Sequence, residues 1–276
     1  MASTSSNGTV RSRKKRELIK CKRCDYDFDS YRAKCPQCGF WNAPEVFDDK
    51  KDQTILLSEA SEKPLVRIET GPWDVCFGGG LVVTSVTLLG GAPGAGKSTM
   101  ALQLADNVCE ISKREILYIG MEEAVEEIKY RAIRLGVRNM HRIRVHPMGS
   151  NAQLGSILLN RKPAAIIVDS LPGMTLDAND AVEICKRFKD YSVTLEAPTI
   201  IIDHVTKDHD FAGLMQLQHA VDTTVSFFPR DEASSIRDMF TIKNRFGPAN
   251  VSAMFEMTAK GLVAVDEDEE EEEEDE

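Results

Sequence analysis

The sequence predicts an α/β protein: a mostly parallel sheet with helices on both faces, prolonged by antiparallel strands toward the C terminus. Three observations predict it. Short apolar, β-branched runs alternate with stretches of helical spacing, the pattern of parallel strands joined by crossover helices. Three of those runs lead to groups able to do chemistry: the glycine-rich stretch after Leu89, Glu122 after Ile119 and Asp169 after Val168. Beyond residue 220 the pattern changes to strands alone, at Val221–Phe228, Ile236–Lys243, Val251–Met257 and Leu262–Val265.

The chain opens on a polar, then basic stretch, 1–17, expected to be disordered. Cys21-x2-Cys24 and Cys35-x2-Cys38 follow, ten residues apart. Two such pairs read as a tetrahedral Zn²⁺ site, so 18–44 is expected to be a zinc ribbon. Two disulfides are the alternative, and the expected compartment disfavours them. Four thiolates leave no open position for water, which makes the site structural. A ribbon this short cannot bury a core, so the metal supplies its folding energy. Lys22 and Arg23 decorate it, and Phe28, Tyr31, Phe40 and Trp41 interleave with further basic residues. That mixture suits single-stranded nucleic acid, through phosphate pairing and base stacking; packing of the aromatics on the metal knuckles is the alternative. Cys76, Cys109 and Cys185 lie in apolar surroundings and read as small buried hydrophobes.

Residues 45–64 are charged, patternless and closed by Pro64, which reads as a linker. The globular domain is expected over 65–265. Its first strand, Val83–Leu89, leads into Gly91-Ala92-Pro93-Gly94-Ala95-Gly96-Lys97-Ser98, then Thr99. This fits the phosphate-binding pattern G-x-x-x-x-G-K-[ST]. Glycines let backbone N–H groups converge on phosphate oxygens, Lys97 adds a point charge, and the Ser98 hydroxyl can ligate Mg²⁺. A helix carrying Met100, Leu102, Leu104 and Ala105, ending near Glu110, adds its positive dipole end. Strand, loop and helix together point to ATP.

Ile116–Ile119 is a second strand, with Glu122 and Glu123 at its C-terminal end. A helix follows through Ala124, Ile128, Ala132 and Leu135, supported by a Glu127–Arg131 pair at i, i+4. Ile143–Val145 is a short strand. Ala164–Val168 ends in Asp169, a carboxylate placed to hold Mg²⁺ beside the phosphates. A helix over 180–196 and a strand from Pro198 to Asp203 complete the parallel part. Ligands of such sheets bind beyond the carboxyl ends of strands, where the phosphate loop, Glu122 and Asp169 converge.

Eleven acidic residues form 266–276, a tail expected to be disordered; setting them aside brings the formal charge of -10 to +1. Residues 1–40 carry ten Lys/Arg against four Asp/Glu. A basic head with an acidic tail suggests a polyanion partner at one end; solubility alone is the alternative. No apolar run approaches the roughly 18 to 20 residues that span a bilayer, and no apolar stretch precedes Lys20, so neither a membrane partner nor a secretory signal is expected. The expected compartment is the cytoplasm.

These pieces resemble, in order, the bacterial RadA/Sms family of RecA-like DNA repair ATPases. The resemblance rests on Cys35-Pro36-Gln37-Cys38-Gly39-Phe40-Trp41-Asn42, Gly78-Gly79-Gly80-Leu81, the phosphate loop and Leu117-Tyr118-Ile119-Gly120-Met121-Glu122-Glu123. His204-Val205-Thr206-Lys207-Asp208 and Lys243-Asn244-Arg245-Phe246-Gly247 continue it, and it covers about residues 20–265. Val83-Thr84 and Gly120-Met121 depart from the family pattern. The Lon-protease-like C-terminal domain that the resemblance implies has no counterpart expected here.

The resemblance implies a RecA-like P-loop core and a DNA-dependent ATPase of homologous recombination and repair. Such a protein binds single-stranded or branched DNA as an oligomer, a hexameric ring in this family, and drives branch migration or unwinding. It meets other recombination proteins. The resemblance makes Glu122, four residues after Tyr118, the group that activates water, with Glu123 as the fallback. It makes Lys243 and Arg245 contacts to a neighbouring subunit's γ-phosphate, and His204 a sensor of that phosphate. The loops Leu171–Asp180 and Val205–Ala212 are the DNA candidates, with Lys207 the phosphate contact. Two other readings stand beside this one: a recombination mediator switched by ATP without motor activity, and a regulatory ATPase like KaiC.

Overall fold

The computed structural model describes residues 18–21, 23–29, 35, 37–38, 56–60, 62, 64–147, 154–175, 177–204, 211–231 and 233–265. The chain divides into two compact units, Met1–Lys63 and Pro64–Glu276.

In the first unit, β1 (Leu18–Lys20) pairs antiparallel with β2 (Asp27–Asp29), Leu18 opposite Asp29 and Lys20 opposite Asp27. The turn between them carries Cys21 and Cys24. It closes with Asp25 N–H donating to the Cys21 carbonyl and Cys21 N–H to the Tyr26 carbonyl, both at 2.9 Å. A 3₁₀ turn, Leu57–Glu59, lies in the stretch read as linker.

The second unit begins with a small antiparallel pair, β3 (Arg67–Ile68) and β4 (Leu81–Val82), bridged by the short helix α1 (Asp74–Phe77). The alternating part follows: β5 (Val86–Gly91), α2 (Lys97–Ser112), β6 (Ile116–Gly120), α3 (Val125–Arg134), β7 (Ile143–Pro147), α4 (Leu154–Arg161), β8 (Ile166–Asp169), α5 (Ala178–Leu195), β9 (Thr199–His204) and α6 (Phe211–Ala220). It closes with β10 (Thr223–Pro229), β11 (Ile236–Asn244), β12 (Ser252–Thr258) and β13 (Gly261–Val265). One nine-stranded sheet runs β13-β12-β11-β10-β5-β9-β8-β6-β7. Its pairs from β10 to β7 are parallel and those from β10 to β13 antiparallel, as the sequence predicts.

Successive strand residues point to opposite faces, so the apolar runs fill two cores at once. Leu89, Tyr118, Ile167 and Ile202 pack on one side against Met100, Leu104 and Val108 of α2 and Ile128 of α3. Leu88, Ile119, Val168 and Ile201 pack on the other against Leu158 of α4, Phe188 of α5 and Leu217 of α6. Cys76 and Cys109 are buried in the first core and Cys185 in the second, and burial pushes their thiols up to about 11, 11 and 12. They are the small hydrophobes expected.

Several boundaries differ from the sequence expectation. Val83 and Thr84 form a turn rather than strand, because Ser85 bonds back to the Val82 carbonyl through both its N–H, at 2.9 Å, and its hydroxyl, at 2.7 Å. α5 starts at Ala178 because Asp177 caps it, Oδ1 accepting from the N–H groups of Asn179 at 2.8 Å and Asp180 at 3.0 Å. Asp180 therefore sits in a helix and Leu171 is buried, while 172–175 and Asp177 of the first DNA-loop candidate are turn and coil. The Glu127–Arg131 pair does not form: the Glu127 carboxylate accepts from Ala124 N–H at 3.0 Å, at the start of α3. α4, too short and too apolar to show a helical period, has no sequence counterpart.

Candidate active site

Four parallel strands deliver the chemistry-bearing residues to one end of the sheet. β5 ends in the phosphate loop, β6 leads to Glu122, β8 ends in Asp169, and β9 ends in His204. Register aligns these ends, with Gly91 opposite His204 and Gly120 opposite Asp169. Between them lies a cleft of about 370 Å³.

The loop is shaped by close packing as well as by turning. A Cβ on Gly91 would stand 2.0 Å from the Phe227 carbonyl oxygen of β10, so only glycine lets the two strands meet there. Gly96 holds φ at +105° immediately before α2, and a Cβ there would meet Met257 Cε at 2.3 Å. No side chain caps the N-terminus of α2, so its first N–H groups are available to an anion. Ala92, Pro93, Gly94 and Ala95 complete the loop, whose turn closes with Ala95 N–H on the Ala92 carbonyl at 3.2 Å. Ser98 and Thr99 lie in the first turn of the helix.

Lys97 is folded back onto this loop. Its ammonium donates to the Gly91 carbonyl at 2.6 Å and the Ala92 carbonyl at 2.9 Å, and lies 3.5 Å from His204 Nδ1. Burial lowers its pKa to about 8, against the pull of the Asp169, Asp203 and Glu122 carboxylates.

Asp169 accepts a hydrogen bond from the buried Tyr118 hydroxyl. Burial nevertheless raises its pKa, the hydroxyls of Tyr118 and Ser98 working the other way. Ser98 and Asp169 both line the cleft and are the residue types that would serve one Mg²⁺. An oxygen-rich pair beside a helix N-terminus is the donor chemistry that ion prefers.

The two adjacent glutamates part company. Arg131 of α3 grips Glu123 with both guanidinium nitrogens, at 2.5 and 2.7 Å. Glu122 stays on the cleft, where its Oε1 accepts from the Ser170 hydroxyl and its Oε2 lies 3.5 Å from His204 Nε2.

Lys243 and Arg245 do not join this cleft. Asn244 is opposite Thr223, which is opposite Thr87, near the start of β5. Four residues of strand, about 13 Å, separate that level from Gly91. There Lys243 Nζ donates to the Gln218 carbonyl at 2.5 Å and the Val221 carbonyl at 2.8 Å. Arg245 meets the buried Asp222 carboxylate at 3.2 Å, which also receives Lys189 Nζ at 2.6 Å and the Val86 N–H at 2.9 Å. Arg67 ties the Gly78–Gly80 segment to the same loop, donating to the carbonyls of Phe77, Gly80 and Phe246.

In the first unit the sulfurs of Cys21, Cys24, Cys35 and Cys38 lie within 4.8 Å of one another. Cys21 and Cys38 are 3.5 Å apart, and Cys24 and Cys35 are 3.7 Å apart. Thiolates 2.3 Å from one tetrahedral Zn²⁺ stand about 3.8 Å from each other, so the cluster fits that ion. Arg23 is exposed beside it. Lys22 and residues 205–210, Lys207 among them, lie outside the described residues, as do 1–17, 266–276, Tyr31, Phe40 and Trp41. Among the described residues no helix is long and apolar enough to cross a membrane.

Sequence reasoning missed Tyr118, Arg131 in its pairing with Glu123, Ser170 and Asp222. Ser170 follows Asp169 directly and could have been singled out by that position; Tyr118 and Asp222 carry no signal in a single sequence.

The family described as the KaiC ATPase matches residues 68–146. The chain is 33% identical to the DNA repair protein RadA of Bacillus subtilis, over 89% of this chain and 58% of that protein. It is 32% identical to the DNA repair proteins RadA of Aquifex aeolicus and Campylobacter jejuni, over 90% and 92% of this chain and 59% and 62% of those proteins. It therefore spans about three fifths of the length of these relatives. A KaiC-like protein of Pyrococcus horikoshii superposes with a TM-score of 0.63 and 16% identity, covering 74% of this chain and all of that one. The chain is thus related to the RadA DNA repair proteins and folds as a RecA-like core of the KaiC type, preceded by a four-cysteine cluster.

Proposed function

We propose that the protein is a DNA-stimulated ATP hydrolase of homologous recombination and DNA repair. It binds single-stranded or branched DNA as an oligomer, a hexameric ring, in the cytoplasm, and drives branch migration or unwinding. The observation that carries the hydrolase reading is the separation of the glutamates: Glu123 is committed to Arg131, while Glu122 faces the cleft between Ser170 and His204.

In this reading the loop 91–98 and the N-terminus of α2 cradle the phosphates, with Thr99 behind them. Lys97 exchanges two backbone carbonyls for β- and γ-phosphate oxygens. Ser98 and Asp169 hold Mg²⁺, which when bound neutralises charge on those oxygens. Glu122 orients a water and takes its proton as the water oxygen bonds to the γ-phosphorus and the bond to ADP breaks. His204, between Lys97 and Glu122, senses the γ-phosphate and passes its presence to the loop that follows β9.

Lys243 and Arg245 reach the γ-phosphate of a neighbouring protomer, since their own cleft is at the other end of the sheet. Each must then exchange a partner within its own chain for the phosphate. Zn²⁺ on the four cysteines folds the ribbon, which contacts DNA through Lys22 and Arg23, with Lys207 a contact from the core. The domain limits follow the sequence reading, 18–44 for the ribbon and 65–265 for the core. Contacts with other recombination proteins complete the proposal. The RadA relatives, named as DNA repair proteins, support the pathway.

The KaiC match keeps a second reading beside this one, a regulatory ATPase, because residues 68–146 carry the phosphate loop and paired glutamates and do not separate the two types. The cysteine cluster and the Lys243–Gly247 loop favour the first. ATP hydrolysis measured with and without single-stranded DNA, beside Lys97→Ala and Arg245→Ala, separates them. DNA stimulation abolished in both variants supports the proposal. DNA binding without stimulation favours an ATP-switched mediator, and indifference to DNA favours the regulatory ATPase.

A further inference from the structure

Ser170 is the first residue beyond β8 and is fully buried, yet its hydroxyl reaches out of the sheet to Glu122 Oε1. The backbone on either side is pinned to both neighbouring strands. Met121 N–H donates to the Asp169 carbonyl at 2.7 Å, on the β6 side, and Leu171 N–H to the Ile202 carbonyl of β9 at 2.8 Å. The hydroxyl therefore has a fixed origin, between the strand that carries Glu122 and the strand that carries His204.

We propose that Ser170 is the positioning residue for Glu122, holding one carboxylate oxygen so that the other faces the water. This rests on the reading of Glu122 as the base. A glutamate has three side-chain torsions, and a half-exposed one with no partner distributes over several rotamers. The Ser170 hydrogen bond selects one. It occupies Oε1 and leaves Oε2, on the His204 side, to receive the proton. Glu123 has no such freedom to lose, because two Arg131 nitrogens already fix both its oxygens. The two adjacent carboxylates are thus held by different devices: one bidentate and closed, one monodentate and open. Only the open one retains an oxygen for chemistry. Small errors in the placement of a base carry large rate penalties, on the order of 10²-fold for about 1 Å.

The test is a double-mutant cycle of Ser170→Ala and Glu122→Gln, with kcat and KM for ATP, the affinity of a fluorescent ATP analogue, and thermal unfolding measured for each protein. Ser170→Ala is expected to lower kcat about tenfold and to leave analogue affinity within about twofold. In the Glu122→Gln background it is expected to change nothing further, and Ser170→Thr, which keeps the hydroxyl, should recover turnover. If the added methyl group crowds this buried position, the alanine cycle alone decides. Wild-type kcat in Ser170→Ala, or the same tenfold loss in both backgrounds, overturns the inference while leaving Glu122 as the base. Full turnover in Glu122→Gln overturns the reading of Glu122 and the inference with it.

Discussion

At the carboxyl end of β5, β6, β8 and β9 the polar groups line an open cleft; at the opposite end they fasten elements of the chain to one another. Lys97 and Lys243 show the contrast. Each donates to two backbone carbonyls, but Lys97 rests on the loop that would receive the phosphates, whereas Lys243 closes the junction of α6 and β10. Asp169 and Asp222 repeat it. Asp169 is held by the Tyr118 hydroxyl and lines the cleft, while Asp222 is saturated by Lys189, Arg245 and the Val86 N–H. Residue type does not separate a reacting group from a fastening one; whether it lines the cleft does.

The sharpest way to break this comparison is to neutralise the two glutamates separately. Glu122→Gln is expected to lower ATP turnover about 10²–10⁴-fold, the span of a general base. Glu123→Gln, which loosens only the Arg131 grip, is expected to cost less than about tenfold. Steady-state hydrolysis decides, and equal losses would erase the distinction between open and committed carboxylates.

Asp222→Ala tests the opposite end. Removing a fully buried carboxylate strands Lys189, the Val86 N–H and, in part, Arg245. We expect about 2–4 kcal/mol of destabilisation in denaturant unfolding, reduced from the fully buried case because both cations are partly exposed. The isolated protomer should still bind nucleotide, because the cleft is about 13 Å away along the strand. Loss of nucleotide binding in a folded Asp222→Ala protein would show that the two ends are coupled.

Chelation of the cysteine cluster is a smaller, local perturbation. It is expected to release one Zn²⁺ per chain and render the four cluster thiols reactive to a thiol reagent, while nucleotide affinity of the second unit stays within about twofold. Retention of four unreactive thiols after chelation would argue against a metal site.

The smallest effect expected is that of the acidic tail. If its carboxylates compete with DNA for the basic residues of 1–40, deleting 266–276 should tighten single-stranded DNA binding a few-fold at low salt and leave it unchanged at high salt, where screening removes that competition. Unchanged affinity at low salt removes that role and leaves solubility.

Legibility in the sequence follows the range of the interaction. Gly91–Ser98 is a local device, in which one short segment supplies loop, charge and helix start, so its spacing reveals it. The four cysteines are two local turns, and their sulfurs do converge. The alternating strands were legible because burial on both faces demands continuous apolar runs, as in Ile166–Val168. The pairing of Arg131 was misread because i, i+4 spacing points to Glu127, which the start of α3 captured, whereas Glu123 lies eight residues away and before the helix begins. The Tyr118 hydroxyl on Asp169 joins residues 51 apart, and Arg245 on Asp222 joins residues 23 apart. No spacing within a single element encodes either.

By itself the sequence determined the fold class, the phosphate loop, the carboxylates at the strand ends and the thiol cluster, because each is set by periodicity or by a motif within a few residues. Only the tertiary structure decided which of two adjacent glutamates keeps an oxygen free, that Ser170 holds it, and that Lys243 and Arg245 stand at the far end of the sheet from their own phosphate loop. Those outcomes depend on strand order and register, which place residues far apart in sequence side by side, and on competition among neighbours for the same hydrogen bonds.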